Sequence, residues 1–169
     1  MKKSIKFNVK PDWDEIEKVR NQSAEFLHSH HLSDETTHSL SMIISELIEN
    51  GIKYGCFSMV SDRVEVVINI ERSIVTIEVI NPVNDCAFEH LARLDRRIQW
   101  IRGYQDPFEA YIERIKEVSK KPLQDVESGI GLVRIAYEGK ALLDFFVADN
   151  LMLNVSVVSS LDSLDREDK

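Results

Sequence analysis

Only two cysteines, Cys56 and Cys86, occur in the 169 residues. That is too few for a disulfide framework and gives no zinc-ligand spacing, so both are expected as free thiols in a reducing, cytoplasmic compartment. Long apolar runs are also missing. Stretches such as Ala141–Leu143 and Phe145–Ala148 are far shorter than a membrane-spanning helix requires. No apolar signal region follows Met1-Lys2-Lys3-Ser4. Positive charge is in deficit: the formal net charge is -8 and the pI about 5.1. This balance disfavours non-specific binding to nucleic acid or to an anionic membrane surface. Internal repeats and low-complexity linkers are absent. What remains, with 43% hydrophobic and 30% charged residues, suits one compact domain with a real core.

Hydropathy periodicity places the elements. Ile5, Phe7 and Val9 alternate with polar residues, predicting a first strand that Pro11 ends. Asp14 is a candidate cap for a helix to about His28, with Ile16, Val19, Phe26 and Leu27 on its apolar side. Ser33-Asp34-Glu35 starts a second helix, whose stripe runs Leu40, Ile43, Ile44, Leu47, Gly51. Two alternating strands follow, Val64 to Ile70 and Val75 to Val79, turning at Glu71-Arg72. Residues 86–126 form a helical insert with stripes Phe88–Ile101 and Phe108–Val118, closing in a polar loop over Lys120–Ser128. A short helix entered through Gly129 and stopped at Gly139 precedes two last strands, Leu142–Val147 and Leu151–Val157. The expected fold is α+β: a two-layer sandwich with a mixed, mostly antiparallel sheet and helices on one face, spanning residues 1–158. Residues 159–169 are expected to be an acidic, frayed tail.

Two segments carry chemistry. Glu46 and Asn50 stand four residues apart on one side of the second helix, with Lys53 and Tyr54 a turn further on. A carboxylate and an amide on an apolar helix need polar partners, and a hydrated Mg2+ is one such partner. A solvated stripe with a Glu49–Lys53 helix pair is the other reading of the same spacing. Secondly, Ser128-Gly129-Ile130-Gly131-Leu132 puts glycines just before a helix, where backbone N–H groups can approach an anion. By itself a Gly-x-Gly pair is equally an ordinary loop. The histidines His28, His30 and His31 have no further ligand nearby and are expected on the surface. Trp100, beside Ile98 and Ile101, is expected in the core, with an exposed partner surface as the other reading. Arg93, Arg96, Arg97 and Arg102 are expected on a solvated helix face.

Taken together and in this order, Ser45-Glu46-Leu47-Ile48-Glu49-Asn50-Gly51-Ile52-Lys53-Tyr54-Gly55 resembles the N box of the GHKL (Bergerat-fold) ATPases. Gly129-Ile130-Gly131-Leu132-Val133-Arg134-Ile135 resembles that superfamily's second glycine box. The strand-helix-helix opening is most similar to the anti-sigma-factor serine/threonine kinases of bacterial partner-switching systems. The resemblance spans about residues 5–157 and is loose over Cys86–Val126. It implies an ATP–Mg2+ site: Asn50 as the metal ligand that links the phosphates, and Glu46 as general base for a protein hydroxyl. Lys53 and Tyr54 would border the phosphates; Gly129, Gly131 and Leu132 would lie in the phosphate-cradling loop. Asn81 takes the place of the aspartate that accepts a hydrogen bond from adenine. Here Asn81-Pro82-Val83-Asn84-Asp85 replaces the first glycine box, Asp-x-Gly-x-Gly, so an uncharged acceptor and a stiff proline stand at the adenine side.

The implied function is a regulatory protein kinase that phosphorylates a small antagonist domain of STAS type or engages a sigma-like regulator; a homodimer is compatible with it. The alternative is the same fold as a binding module that controls a partner by contact, without turnover. A sensor histidine kinase would need a dimerising helical hairpin with its phosphorylated histidine, and a gyrase-type enzyme would need transducer domains; neither is expected in this chain.

Overall fold

A computed structural model describes residues 2–120 and 129–164, apart from the side chains of Cys86 and Ser163. The polar loop Lys120–Ser128 and the end of the tail therefore fall almost wholly outside the described residues. The chain forms strand β1 (Lys2–Val9), helices α1 (Trp13–Ser29) and α2 (Asp34–Tyr54), and the hairpin β2 (Val64–Glu71) and β3 (Ile74–Pro82). A single 3-10 turn, Asp85–Ala87, leads into α3 (Phe88–Arg102) and α4 (Pro107–Ser119). Then come α5 (Ile130–Tyr137), β4 (Ala141–Val147), β5 (Met152–Ser160) and one last helical turn, α6 (Leu161–Leu164).

The five strands make one sheet in the order β1-β2-β3-β5-β4. Every neighbouring pair is antiparallel, so the sheet is antiparallel throughout rather than mixed. Alternation explains which face is covered. Val66, Ile68 and Ile70 of β2 register with Val79, Ile77 and Val75 of β3, and all are buried. The residues between them, Glu65, Val67, Asn69, Thr76 and Glu78, are half-exposed on the other face. One face packed and one face wet is what an antiparallel sheet permits.

The helices complete the core. α2 supplies Leu40, Ile43, Ile44, Leu47 and Ile48, all essentially without solvent contact, and it packs against α1, α5, β2 and β3. Ser33 starts it, its hydroxyl accepting from Thr36 N–H at 3.1 Å. α1 begins two residues earlier than the sequence suggests: Asp12 is the cap, accepting from Asp14 N–H at 3.1 Å, and Asp14 lies within the first turn. Pro107 opens α4, since its fixed φ and missing N–H suit the first helical position; Asp106 accepts from Phe108 N–H at 2.9 Å.

The insert is docked. Tyr137 of α5 has its ring 5.2 Å from Tyr111 and 5.1 Å from Phe108, both on α4. The last strand runs past Val157 to Ser160, so its end takes the first residues assigned to the tail. Ser159 donates to Gly139 O at 3.2 Å, and Leu164 of α6 is buried in the core. Among the described residues no helix is long and apolar enough to cross a membrane.

Ile44 sits at the centre of α2 with no exposed surface. Ile44→Ala is expected to lower the unfolding free energy by about 2–5 kcal/mol. Urea unfolding followed by circular dichroism checks this: the midpoint falls while the slope is unchanged.

Candidate functional site

α2 leaves one stripe outside the core. Glu46 and Asn50 are half-buried, Lys53 is exposed and Tyr54 is half-buried. This stripe forms one wall of a cleft of about 840 Å3 between α2, the end of β3, the insert helices and the start of α5. Glu46, Asn50, Lys53, Tyr54, Asn81, Gly129, Gly131 and Leu132 all line it. Residues 127 and 128 lie outside the described residues.

The structure gives Glu46 a partner that the sequence does not reveal. Its Oε1 accepts from Arg134 Nη1 at 2.8 Å. Arg134 is itself held by Glu138 one turn on, with both contacts at 3.3 Å. Burial raises the pKa of Glu46; the Arg134 charge pulls the other way, and the nearby Glu49 and Glu138 add to the rise. The result is a carboxylate that holds a proton more readily than a surface glutamate. Gly131 is what lets it sit there, because a Cβ at that position would collide with Glu46 Oε2.

Asn50 lies on the same wall, and its side chain makes no hydrogen bond to any described residue. Lys53 Nζ stands 5.0 Å from the Tyr54 ring centroid, and that ring is 5.2 Å from His90 of α3. Gly129, with φ +58°, is in the left-handed region that favours glycine and turns the chain into α5.

At the other end, Asn81 closes the cleft from below. It is 1% exposed, and its amide donates to Pro82 O at 3.2 Å. Its Oδ1 faces α2: a Cβ on Gly51 would lie 3.3 Å from it and 3.4 Å from Val79. Glycine at 51 therefore allows α2 to settle onto β3. Around Asn81 the lining turns apolar, with Val79, Val83, Leu91, Leu153 and Val155.

Arg97, Arg114 and Glu117 also line the cleft, and Arg134 reaches Glu46 from α5; the sequence does not reveal these placements. Arg114 had a readable signal, since it follows the buried Ala110 by four residues and so shares the packed side of α4. Arg97 departs from the expected solvated face; it is half-buried and its guanidinium lies 5.2 Å from the Trp100 ring centroid. Trp100 is half-buried at the edge of the core and lines the cleft. Arg93 and Arg96 are exposed, and Arg102 reaches Asp144 at 3.4 Å. His28 and His31 are exposed, and His30 Nδ1 is 2.7 Å from Phe26 O. Among the described residues no group of three or more His, Cys, Asp or Glu could hold a metal on its own.

Neither a protein-family model nor a curated protein matches the chain. Among solved structures, it is similar to a chain of the SiaB–SiaC complex from Pseudomonas aeruginosa, at 17% sequence identity and a TM-score of 0.66. The match covers 92% of this chain and 88% of that one. At this identity the likeness establishes the fold: a five-stranded antiparallel sheet layered with helices.

The upward shift at Glu46 has a consequence for stability. A carboxyl that binds its proton more tightly folded than unfolded makes the folded state less stable above the unfolded pKa, and this penalty disappears on acidification. Glu46→Gln is therefore expected to be at least as stable as the parent at pH 7, by up to about 1 kcal/mol given partial exposure and the lost Arg134 charge pair. The difference closes as the pH falls through the ordinary carboxylate range. Denaturant melts of both proteins at pH 7 and pH 4 test it; a less stable Glu46→Gln protein at pH 7 would show that the Arg134 pair outweighs burial.

Proposed function

We propose that the cleft binds ATP with Mg2+ and that the chain is a regulatory serine/threonine protein kinase of the GHKL anti-sigma type, acting on a small antagonist domain in a partner-switching pathway. One observation carries this reading: Glu46 and Asn50 of α2 face the same cleft as Gly129 and Gly131 at the start of α5, although about eighty residues separate the two segments.

The residues suit the ligand. Asn50 offers an amide oxygen with no hydrogen bond to any described residue, and Mg2+ in phosphate-transfer sites takes few protein ligands and keeps its waters. No acidic cage is needed for that, in keeping with the donor set present. Lys53 and the arginines on the insert side supply positive charge. The apolar stretch Val79, Val83, Leu91, Leu153 and Val155 suits a planar base, with Asn81 as the uncharged polar group among them. Bound ATP–Mg2+ supplies the transferable phosphoryl group.

Glu46 takes the proton of the attacking serine or threonine hydroxyl. Its partly buried carboxylate is a better proton acceptor than a surface glutamate. Arg134 fixes the carboxylate's position and favours its ionised form, opposing the effect of burial. Positioning and charge neutralisation account for most of the rate in such transfers. The similar chain was solved in a SiaB–SiaC complex, which supports a protein as the partner.

A second reading, a binding module without turnover, is favoured by Asn81. That residue is buried, its amide is turned to Pro82 O, and the flexible glycines of the first box are missing.

Calorimetric titration of the protein with ATP, with and without Mg2+, separates the two. Binding in the micromolar to millimolar range, dependent on Mg2+, is expected; no detectable binding at millimolar ATP overturns the kinase reading. Asn50→Ala is expected to lose the Mg2+-dependent part of the affinity. With labelled ATP and an antagonist-domain partner, Glu46→Gln is expected to bind ATP normally while transfer falls by at least about 100-fold. Undiminished transfer removes Glu46 from the base role.

A further inference from the structure

The two edges of the sheet are protected in different ways. β1 and β4 are the outermost strands. An edge strand offers unpaired N–H and C=O groups to any other extended chain, and exposed lysines are a common deterrent. β1 has them: Lys2, Lys3 and Lys6 are exposed. β4 does not. Its sequence, Ala141-Leu142-Leu143-Asp144-Phe145-Phe146-Val147, contains one charge, no lysine and no proline. Leu142 is 72% exposed and Phe146 57%. A short apolar segment of low charge and without proline is of the type that pairs with copies of itself.

The register shows which backbone groups are open. Phe146 stands opposite Asn154, and the next rung is Ala148 N–H to Met152 O at 2.9 Å. An antiparallel ladder bonds every second residue. The even-numbered residues of β4 therefore bond to β5, while Leu143, Phe145 and Val147 turn their N–H and C=O groups outward. Two of these outward groups are taken by side chains. Arg102, the last residue of α3, donates from Nη2 to Leu143 O. Phe145 N–H donates to Asp144 Oδ1 at 2.9 Å. The two side chains are also tied to each other, with Arg102 Nη2 3.4 Å from Asp144 Oδ2. Leu143 O and Phe145 N–H flank Asp144 at the middle of the edge, and an added strand would need both. Arg102 and Asp144 supply the donor and the acceptor that such a strand would bring.

We propose that Arg102 and Asp144 plug the outer edge of β4, and that the strand they exclude is β4 of a second copy of this chain. Identity of sequence selects that occupant. Two β4 edges meeting antiparallel about a two-fold axis present the same apolar segment to each other and join two five-stranded sheets into one. A pairing centred on the plugged groups also sets two Asp144 carboxylates opposite each other, and like charges so placed are destabilising. The plug is independent of the cleft and holds whether or not a nucleotide binds there.

Sedimentation velocity over a range of concentrations tests it, comparing the full chain with Arg102→Ala, Asp144→Ala and the double variant. Each variant is expected to form species of about twice the parent's mass or more as concentration rises, most strongly in the double variant. Hydrogen exchange locates the contact. Val147 N–H, turned away from β5, is expected to exchange at least about tenfold more slowly in the associated variants than in the parent. Adding Phe146→Lys to the double variant is expected to restore the parent's mass, because a lysine on an edge strand opposes pairing. Far-UV circular dichroism confirms that each variant is folded. If Arg102→Ala does not fold, Asp144→Ala decides the matter, since that side chain is 70% exposed. Folded variants with the parent's mass at every concentration overturn the plug. So does association that leaves Val147 exchange unchanged or survives Phe146→Lys, because the contact then lies elsewhere.

Discussion

The burial of α2 on nearly all sides is the constraint on which the rest depends. Its apolar residues are enclosed by β2, β3, α1 and α5, and Leu40, Ile43, Ile44, Leu47 and Ile48 have essentially no exposed surface. A helix so enclosed has one free strip, and any polar side chain on it must lie there or be stranded. Glu46, Asn50 and Lys53 are on that strip and so face the cleft. Gly51 belongs to the same constraint, because a side chain there would press on Asn81 and Val79 and lift the helix from β3. The cleft and its polar wall are thus a by-product of how tightly the core is closed.

Charge is distributed against the composition. The chain is acidic overall, yet the insert helices face the cleft with arginines, and Arg134 crosses from α5 to meet Glu46. Net charge describes long-range behaviour towards polyanions. A pocket a few ångströms wide is governed by the groups that line it, whose interactions are stronger where water is partly excluded. An acidic overall composition and a cleft lined by arginines are therefore compatible in one molecule.

The glycines of the second box have two kinds of reason to be glycine. Within the chain, Gly131 makes room for the Glu46 carboxylate, and Gly129 has a left-handed backbone and a guanidinium against it. Both reasons hold with or without a ligand. They also place the start of α5 between a carboxylate and a guanidinium.

Periodicity and capping chemistry made most elements legible: the 2-residue alternation of β2 and β3, the long stripe of α2 from Ser33, and the order of strands and helices. Glu46 and Asn50 were legible too, since a four-residue spacing on a helix puts side chains on one side wherever that helix ends up. Exact boundaries were less so, because Asp12 and Asp14 are equally good caps by type and Pro107 can end or begin a helix. Tertiary structure alone decided the partners. Arg134 lies 88 residues from Glu46, and Arg97 and Arg114 sit on different helices around Glu117. Local sequence determines which way a side chain leaves its own helix or strand; what it meets depends on how separate elements pack. For the same reason the sequence determined a helix bearing Glu46 and Asn50, while only the closed fold decided that the helix forms a wall of a cleft with arginines lining another part of it.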